Sequence, residues 1–184
     1  SYVVKAVLEE KMGYNVELTP VSAAAMWEAV ASGDQDGMVA AWLPTTHGHY
    51  LEEVQETVED LGPNLVGTKI GLVVPTYVDI ASIQDLKLHP EKFNNEIIGI
   101  DPGAGIMSKT EEAIEEYNLG EEFNLVEGSG ATMTGALQNA INTDQSVVVT
   151  GWTPHSKFAR FDLKYLEDPK NVYGGLEEIH TIVR

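Results

Sequence analysis

The 184-residue sequence contains no cysteine. That excludes disulfides, thiolate nucleophiles and cysteine-based zinc sites. Positive charge is scarce: 11 Lys and Arg stand against 29 Asp and Glu, a net charge of −18. Such a surface repels phosphate backbones and anionic lipid, so nucleic acid is not the expected partner, whereas a cationic or zwitterionic ligand meets no such repulsion. No apolar run approaches the ~20 residues that span a bilayer. Ser1-Tyr2-Val3-Val4 has neither the basic start nor the small-residue cleavage site of a signal peptide, so the expectation is a cytosolic protein or one whose signal has been removed. There is no G-x-S-x-G elbow and no Walker loop.

What the chain does have is an internal repeat. At an offset of 107, Ala6-Val7 meets Ala113-Ile114, Met12-Gly13 meets Leu119-Gly120, Ser22 meets Ser129 and Met26 meets Met133. After a three-residue insertion, Val39 meets Val149, Trp42 meets Trp152 and Pro44 meets Pro154. In the second copy, NNEIIGI reads as a strand, DPGAG as a turn, and Ser108 to Tyr117 as a helix with Ala113 and Ile114 inward. Gly120 is placed to cap that helix. FNLVE is a strand, Thr132 to Ile141 a helix begun at Ser129, and SVVVTGW a third strand. The first copy reads as helix (2–12), strand (15–18), helix (24–31) and strand (37–42), without an opening strand. Each copy then carries a polar helical stretch and an extended segment, residues 69–75 and 178–184.

Alternating strands and helices predict an α/β fold with parallel pairing: two similar lobes with a ligand cleft between them, the first lacking its N-terminal strand. The expected division is a first lobe at 1–75, a connector at 76–96, a second lobe at 97–177 and a return segment at 178–184. A sheet without its opening strand exposes unpaired edge groups, which a second chain is one way to cover.

Ligands of open parallel sheets collect beyond the carboxyl ends of the strands. Trp42 and Trp152 stand at two such ends. An indole face attracts a cation, and a quaternary ammonium suits it because it sheds water cheaply; plain core packing is the other reading of either Trp. GIDPGAGIM joins a strand to a helix whose first N–H groups form an anion site, although an ordinary tight turn fits the same residues. His47 reads as a donor to a ligand carboxylate and His49 as an exposed loop residue. The spacing H-x-H lacks a third ligand nearby, so no metal is expected, and no cofactor. An enzyme reading would set His47 and His155 as acid and base of a hydrolase, but it lacks a nucleophile or metal.

The motifs AAWLPTTH, KIGLVVPTYV, IIGIDPGAGIMSKTEEAI, VVVTGWTPH, KYLEDPKNVYG and EEIHTIVR resemble the glycine betaine/proline betaine-binding subunit of ABC-type compatible-solute importers over nearly the whole chain. The resemblance implies a type II periplasmic-binding-protein-like fold and a non-catalytic, extracytoplasmic receptor for quaternary-ammonium osmoprotectants. A choline or carnitine receptor of the same fold is the alternative. It implies an ABC permease as membrane partner, and a receptor that is either periplasmic or held at the cell surface by a lipid anchor or permease fusion. It also implies an ammonium cage at Trp42 and Trp152, and carboxylate contacts from the amides of Gly105 and Ile106 and from His47. Family members carry a third cage Trp on the opening strand absent here, and they continue past Arg184, so the resemblance implies a fragment.

Overall fold

The computed structural model describes residues 1–184. The chain forms two compact units: residues 1–66 with 178–184, and residues 67–177. Residues 67–75 and the connector 76–96 thus fall in unit 2 and the C-terminal segment in unit 1.

Unit 1 begins with α1 (Tyr2–Met12), which buries no side chain and stops at Gly13, a left-handed residue with φ 74°. Its Tyr14 N–H returns to the Leu8 carbonyl, closing the helix end as left-handed caps do. Next come α2 (Ala23–Ser32), β1 (Gly37–Leu43), α3 (Gly48–Val54), the first part of β2 (Glu59–Pro75) and β7 (Glu177–Val183). The Ser22 hydroxyl accepts the Ala25 N–H at the start of α2, satisfying one orphan donor of the first turn. β7 runs antiparallel to β1, pairing Trp42 with Ile179, and lies between β1 and β2. The core gathers Trp27, Val30, Met38, Ala41 and Ile182.

Residues 15–18, expected as a strand, are not one. They are tied to α1 instead: Lys5 Nζ donates to the Val16 carbonyl (2.6 Å) and Val16 N–H donates to Glu9 Oε1 (3.3 Å). A strand exists by sharing a ladder, and β1 is the last strand of its sheet on that side.

Unit 2 continues β2 and adds two 3-10 turns (Ile83–Leu88, Pro90–Phe93), β3 (Glu96–Ile98), α4 (Gly105–Glu116), β4 (Asn124–Val126), α5 (Gly130–Asn142), β5 (Val149–Thr153), α6 (Lys157–Arg160) and β6 (Leu163–Tyr165). The expected parallel pairing holds for β3 with β4 and β5, but β2 pairs antiparallel with both β5 and β6. The sheet is therefore mixed. In α5 the buried residues Met133, Leu137 and Ala140 recur at helical spacing, and the Ser129 and Thr132 side chains cap each other's backbone. They meet Val73, Val147 and Val149 in the core. Gly151 faces Gly71 across the β5–β2 ladder, and a Cβ on Gly151 would collide with Val73.

The end of α4 departs from expectation. The left-handed residue there is Asn118 (φ 53°), not Gly120. Its short amide side chain tolerates that conformation, and Leu119 N–H closes onto the Ile114 carbonyl at 2.8 Å.

Candidate functional site

In unit 1, β1 delivers Trp42 at its carboxyl end, half-buried, and the chain then turns through a cis Leu43–Pro44 peptide. The turn brings His47 back onto Trp42. Trp42 N–H donates to His47 Nδ1 (3.0 Å), and His47 N–H donates to the Trp42 carbonyl (2.8 Å). An Nδ1 that accepts leaves the ring proton on Nε2, so Nε2–H is the ring's donor. His47 is 6% exposed, and desolvation, with neighbouring His49 a lesser cause, lowers its pKa from 6.5 to about 4. The ring is therefore neutral at pH 7, with one fixed donor and no acceptor to spare.

Two aromatics that the sequence reading did not weigh hold this ring. Trp27 meets His47 edge-on at 6.0 Å between centroids and stacks on Tyr50 at 6.2 Å, while Tyr50 meets His47 at 5.8 Å. Their spacing on amphipathic helices was the available signal. His49 is exposed, as expected, but it sits on α3 against Tyr50 (4.0 Å) rather than in a loop.

In unit 2, Gly105 and Ile106 are the first two residues of α4, and both are buried. Ala104 stands at the N-cap and offers no side-chain acceptor. The first N–H groups of a helix have no partner within it; Met107 N–H turns back to the Ala104 carbonyl (2.8 Å), and those of Gly105 and Ile106 receive no side-chain cap from Ala104, unlike the starts of α2 and α5. Neither Gly103 nor Gly105 takes a positive φ, so the turn does not use the backbone freedom expected of these glycines. Gly99 is the glycine that the approach requires: a Cβ there would strike Met107, whose Sδ accepts the Ile100 N–H (3.2 Å).

Trp152 ends β5 half-buried, paired with Ile70, and is followed by a cis Thr153–Pro154 peptide. His155 meets it at 4.6 Å in a T-shaped contact, and its Nδ1 accepts the Lys157 N–H (3.1 Å). Burial, then the charge of Lys157, lowers the His155 pKa below 6.5. The structure thus joins Trp42 to His47 in unit 1 and Trp152 to His155 in unit 2. The motif KYLEDPKNVYG has a structural role: the Asp168 carboxylate accepts from Tyr117 Oη–H (2.6 Å) and Tyr173 N–H (2.8 Å), tying that loop to the end of α4.

One residue escaped the sequence reading altogether. Lys157 is fully buried, its Nζ lies 4.3 Å from the Trp152 ring centroid, and it donates to the Thr150 carbonyl at 3.0 Å. A lysine in a polar turn normally reads as a solvated charge, and nothing in HSKFARF signals otherwise.

A strand-end indole and a neutral imidazole donor in unit 1, and a strand-end indole and a helix start without a side-chain cap in unit 2, are groups that suit small charged ligands. The chain belongs to the family described as the substrate-binding domain of ABC-type glycine betaine transport systems, whose pattern matches residues 1–184. It is 55% identical over 95 residues to a glycine betaine/carnitine transport binding protein of Listeria monocytogenes, a stretch of 51% of this chain and 32% of that one. Among solved structures it is similar to a glycine betaine/L-proline-binding protein from Borrelia burgdorferi (44% identity, TM-score 0.94, 99% of this chain and 68% of that one). It is also similar to a choline-binding protein of an ABC transporter, solved with choline (26% identity, TM-score 0.89, 100% of this chain and 66% of that one). The match thus spans about a third of the curated relative and about two thirds of the solved chains. No helix is long and apolar enough to cross a membrane.

Proposed function

We propose that this chain is the ligand-binding part of an extracytoplasmic receptor for glycine betaine and related betaines, which it passes to an ABC permease without chemical change. The Trp42 and Trp152 indoles take the trimethylammonium group. His47 Nε2–H and the Gly105 and Ile106 amides take the carboxylate. The observation that carries this reading is the lock between Trp42 N–H and His47 Nδ1. That bond holds an indole and a neutral imidazole in one six-residue turn, which supports giving them the ammonium and the carboxylate. Because burial holds His47 near pKa 4, the donor is neutral and permanent at physiological pH, and it is a poor general base. That counts against a hydrolase.

A choline or carnitine receptor is the second reading, favoured by what the similar proteins are said to bind. Choline lacks the carboxylate for which three donors are available. Calorimetric titration with glycine betaine, proline betaine, carnitine and choline, with each ligand assayed for turnover, tests the proposal. Saturable binding led by a betaine, with every ligand recovered intact, is expected. Binding of none of them, or turnover of any, contradicts it.

A further inference from the structure

Lys157 has no part in the reading above, yet it is buried against the Trp152 ring. Its ammonium has one carbonyl partner, Thr150 O, and a second aromatic, Phe158, at 5.9 Å. Burial makes the ammonium easier to deprotonate, lowering its pKa from 10.5 to about 8, and no carboxylate offsets this. One region of the Trp152 π-surface is thus already occupied by a cation belonging to the protein.

We infer that Lys157 is a specificity-determining residue that makes the Trp152 half-site discriminate against ligands with a net positive charge and in favour of zwitterions. The inference rests on the proposed role of Trp152 in holding a quaternary ammonium. A cation engages an indole within about 6 Å of its centroid. With Lys157 Nζ 4.3 Å from the same centroid, a bound ammonium lies within roughly 10 Å of Nζ. At that separation, with an effective dielectric of about 20, two unit charges repel by on the order of a tenfold change in an equilibrium constant. Choline bears this in full. In a betaine the carboxylate sits only a few ångströms from the ammonium, and its attraction to Nζ cancels most of the repulsion.

Two ionisable groups near Lys157 are moved away from the window between pH 7 and 9.5. His155, whose Nδ1 takes the Lys157 N–H, is held below 6.5 and stays neutral. Tyr165, stacked on Phe158, is pushed up to about 12. The Lys69 ammonium lies over Tyr165 at 4.6 Å, and Arg160 over Phe161 at 5.0 Å. The α5 face packed on this sheet is apolar: Met133, Leu137 and Ala140.

The test is the ratio of choline to glycine betaine Kd, measured by calorimetry at pH 7.0 and 9.5 on the wild-type chain and on Lys157→Met, with melting curves confirming that the variant folds. At pH 7.0 the variant is expected to lower the ratio about tenfold, chiefly by tightening choline. Raising the wild type to pH 9.5 is expected to lower it likewise, and the variant is expected to show no such drift. A purely structural lysine would weaken both ligands together and leave the ratio unchanged. An unmoved ratio in both the variant and the wild-type pH arm overturns the inference while leaving the receptor intact. If the wild type binds neither ligand at pH 7.0, the receptor reading falls and takes this inference with it. The wild-type pH arm stands even if the variant does not fold.

Discussion

In unit 1, Trp42 closes a strand, a cis proline follows two residues later, and His47 folds back so that its Nδ1 accepts the N–H of that same Trp. In unit 2, Trp152 closes a strand, a cis proline follows two residues later, and His155 looks forward, its Nδ1 accepting the Lys157 N–H. The frame is shared and the work is divided. His47 is buried, with its ring proton on Nε2. His155 is half-buried and serves the local turn, and in unit 2 the proposed anion donors are the first amides of α4 instead. A repeated motif thus preserves where an indole stands, while small changes of spacing decide what the neighbouring imidazole does.

The sharpest way to break this comparison is to delete the two imidazoles in turn. His47→Ala is expected to weaken glycine betaine binding by about 1.5–3 kcal/mol, the scale of a hydrogen bond to a charged group. His155→Ala is expected to leave it nearly unchanged. Equal losses in calorimetry would show that the two histidines are equivalent.

The difference also has a pH signature. The folded pKa of His47 is depressed to about 4 from 6.5. Below pH 6.5 the unfolded chain takes up a proton that the folded chain refuses, so the stability that neutral His47 contributes is present above 6.5 and is lost as pH falls toward 4. Between pH 6.5 and 5 this amounts to about 1.6 kcal/mol. Urea unfolding at the two pH values, in the wild type and in His47→Gln, should show that drop only where His47 is present. The half-buried His155 is lowered in the same direction, and His155→Gln should change the drop less.

Substitution of the indoles comes next. Trp42→Ala or Trp152→Ala is expected to cost about 1–2 kcal/mol of betaine affinity, with Phe recovering part and Leu less. If Leu serves as well as Phe in either unit, that ring acts as an apolar wall and not as a cation site.

How much of this was visible in the sequence depended on whether the cause was local. The pairing of Trp42 with Trp152 followed from the repeat. The α4 and α5 helices followed from helical spacing, although α4 begins at Gly105, three residues before the expected Ser108, with Ala104, a residue that cannot cap, ahead of it. Non-local causes stayed hidden. Residues 15–18 have a strand's composition, but Val16 is tied to Lys5 and Glu9 of α1 instead of pairing in a sheet. The tautomer of His47 depends on a backbone N–H that only the folded turn brings within 3.0 Å. The Asn118 cap displaced the glycine that spacing favoured, and the burial of Lys157 contradicts what its residue type predicts.

The smallest expected effect concerns the sheets. β5 lies between β2 and β3, whereas β1 has a strand neighbour only in β7. Hydrogen exchange resolved by residue is expected to be faster in β1 than in β5. Equal protection would mean that the free edge is covered.

The account's central claim is that one zwitterion is read by two kinds of group, and a crystal structure of the chain with glycine betaine tests it most directly. The account predicts the trimethylammonium against the Trp42 and Trp152 indoles, and the carboxylate within about 3 Å of His47 Nε2 and of the Gly105 and Ile106 nitrogens. A carboxylate held by other groups, with His47 Nε2 and the α4 amides turned to water, would contradict it.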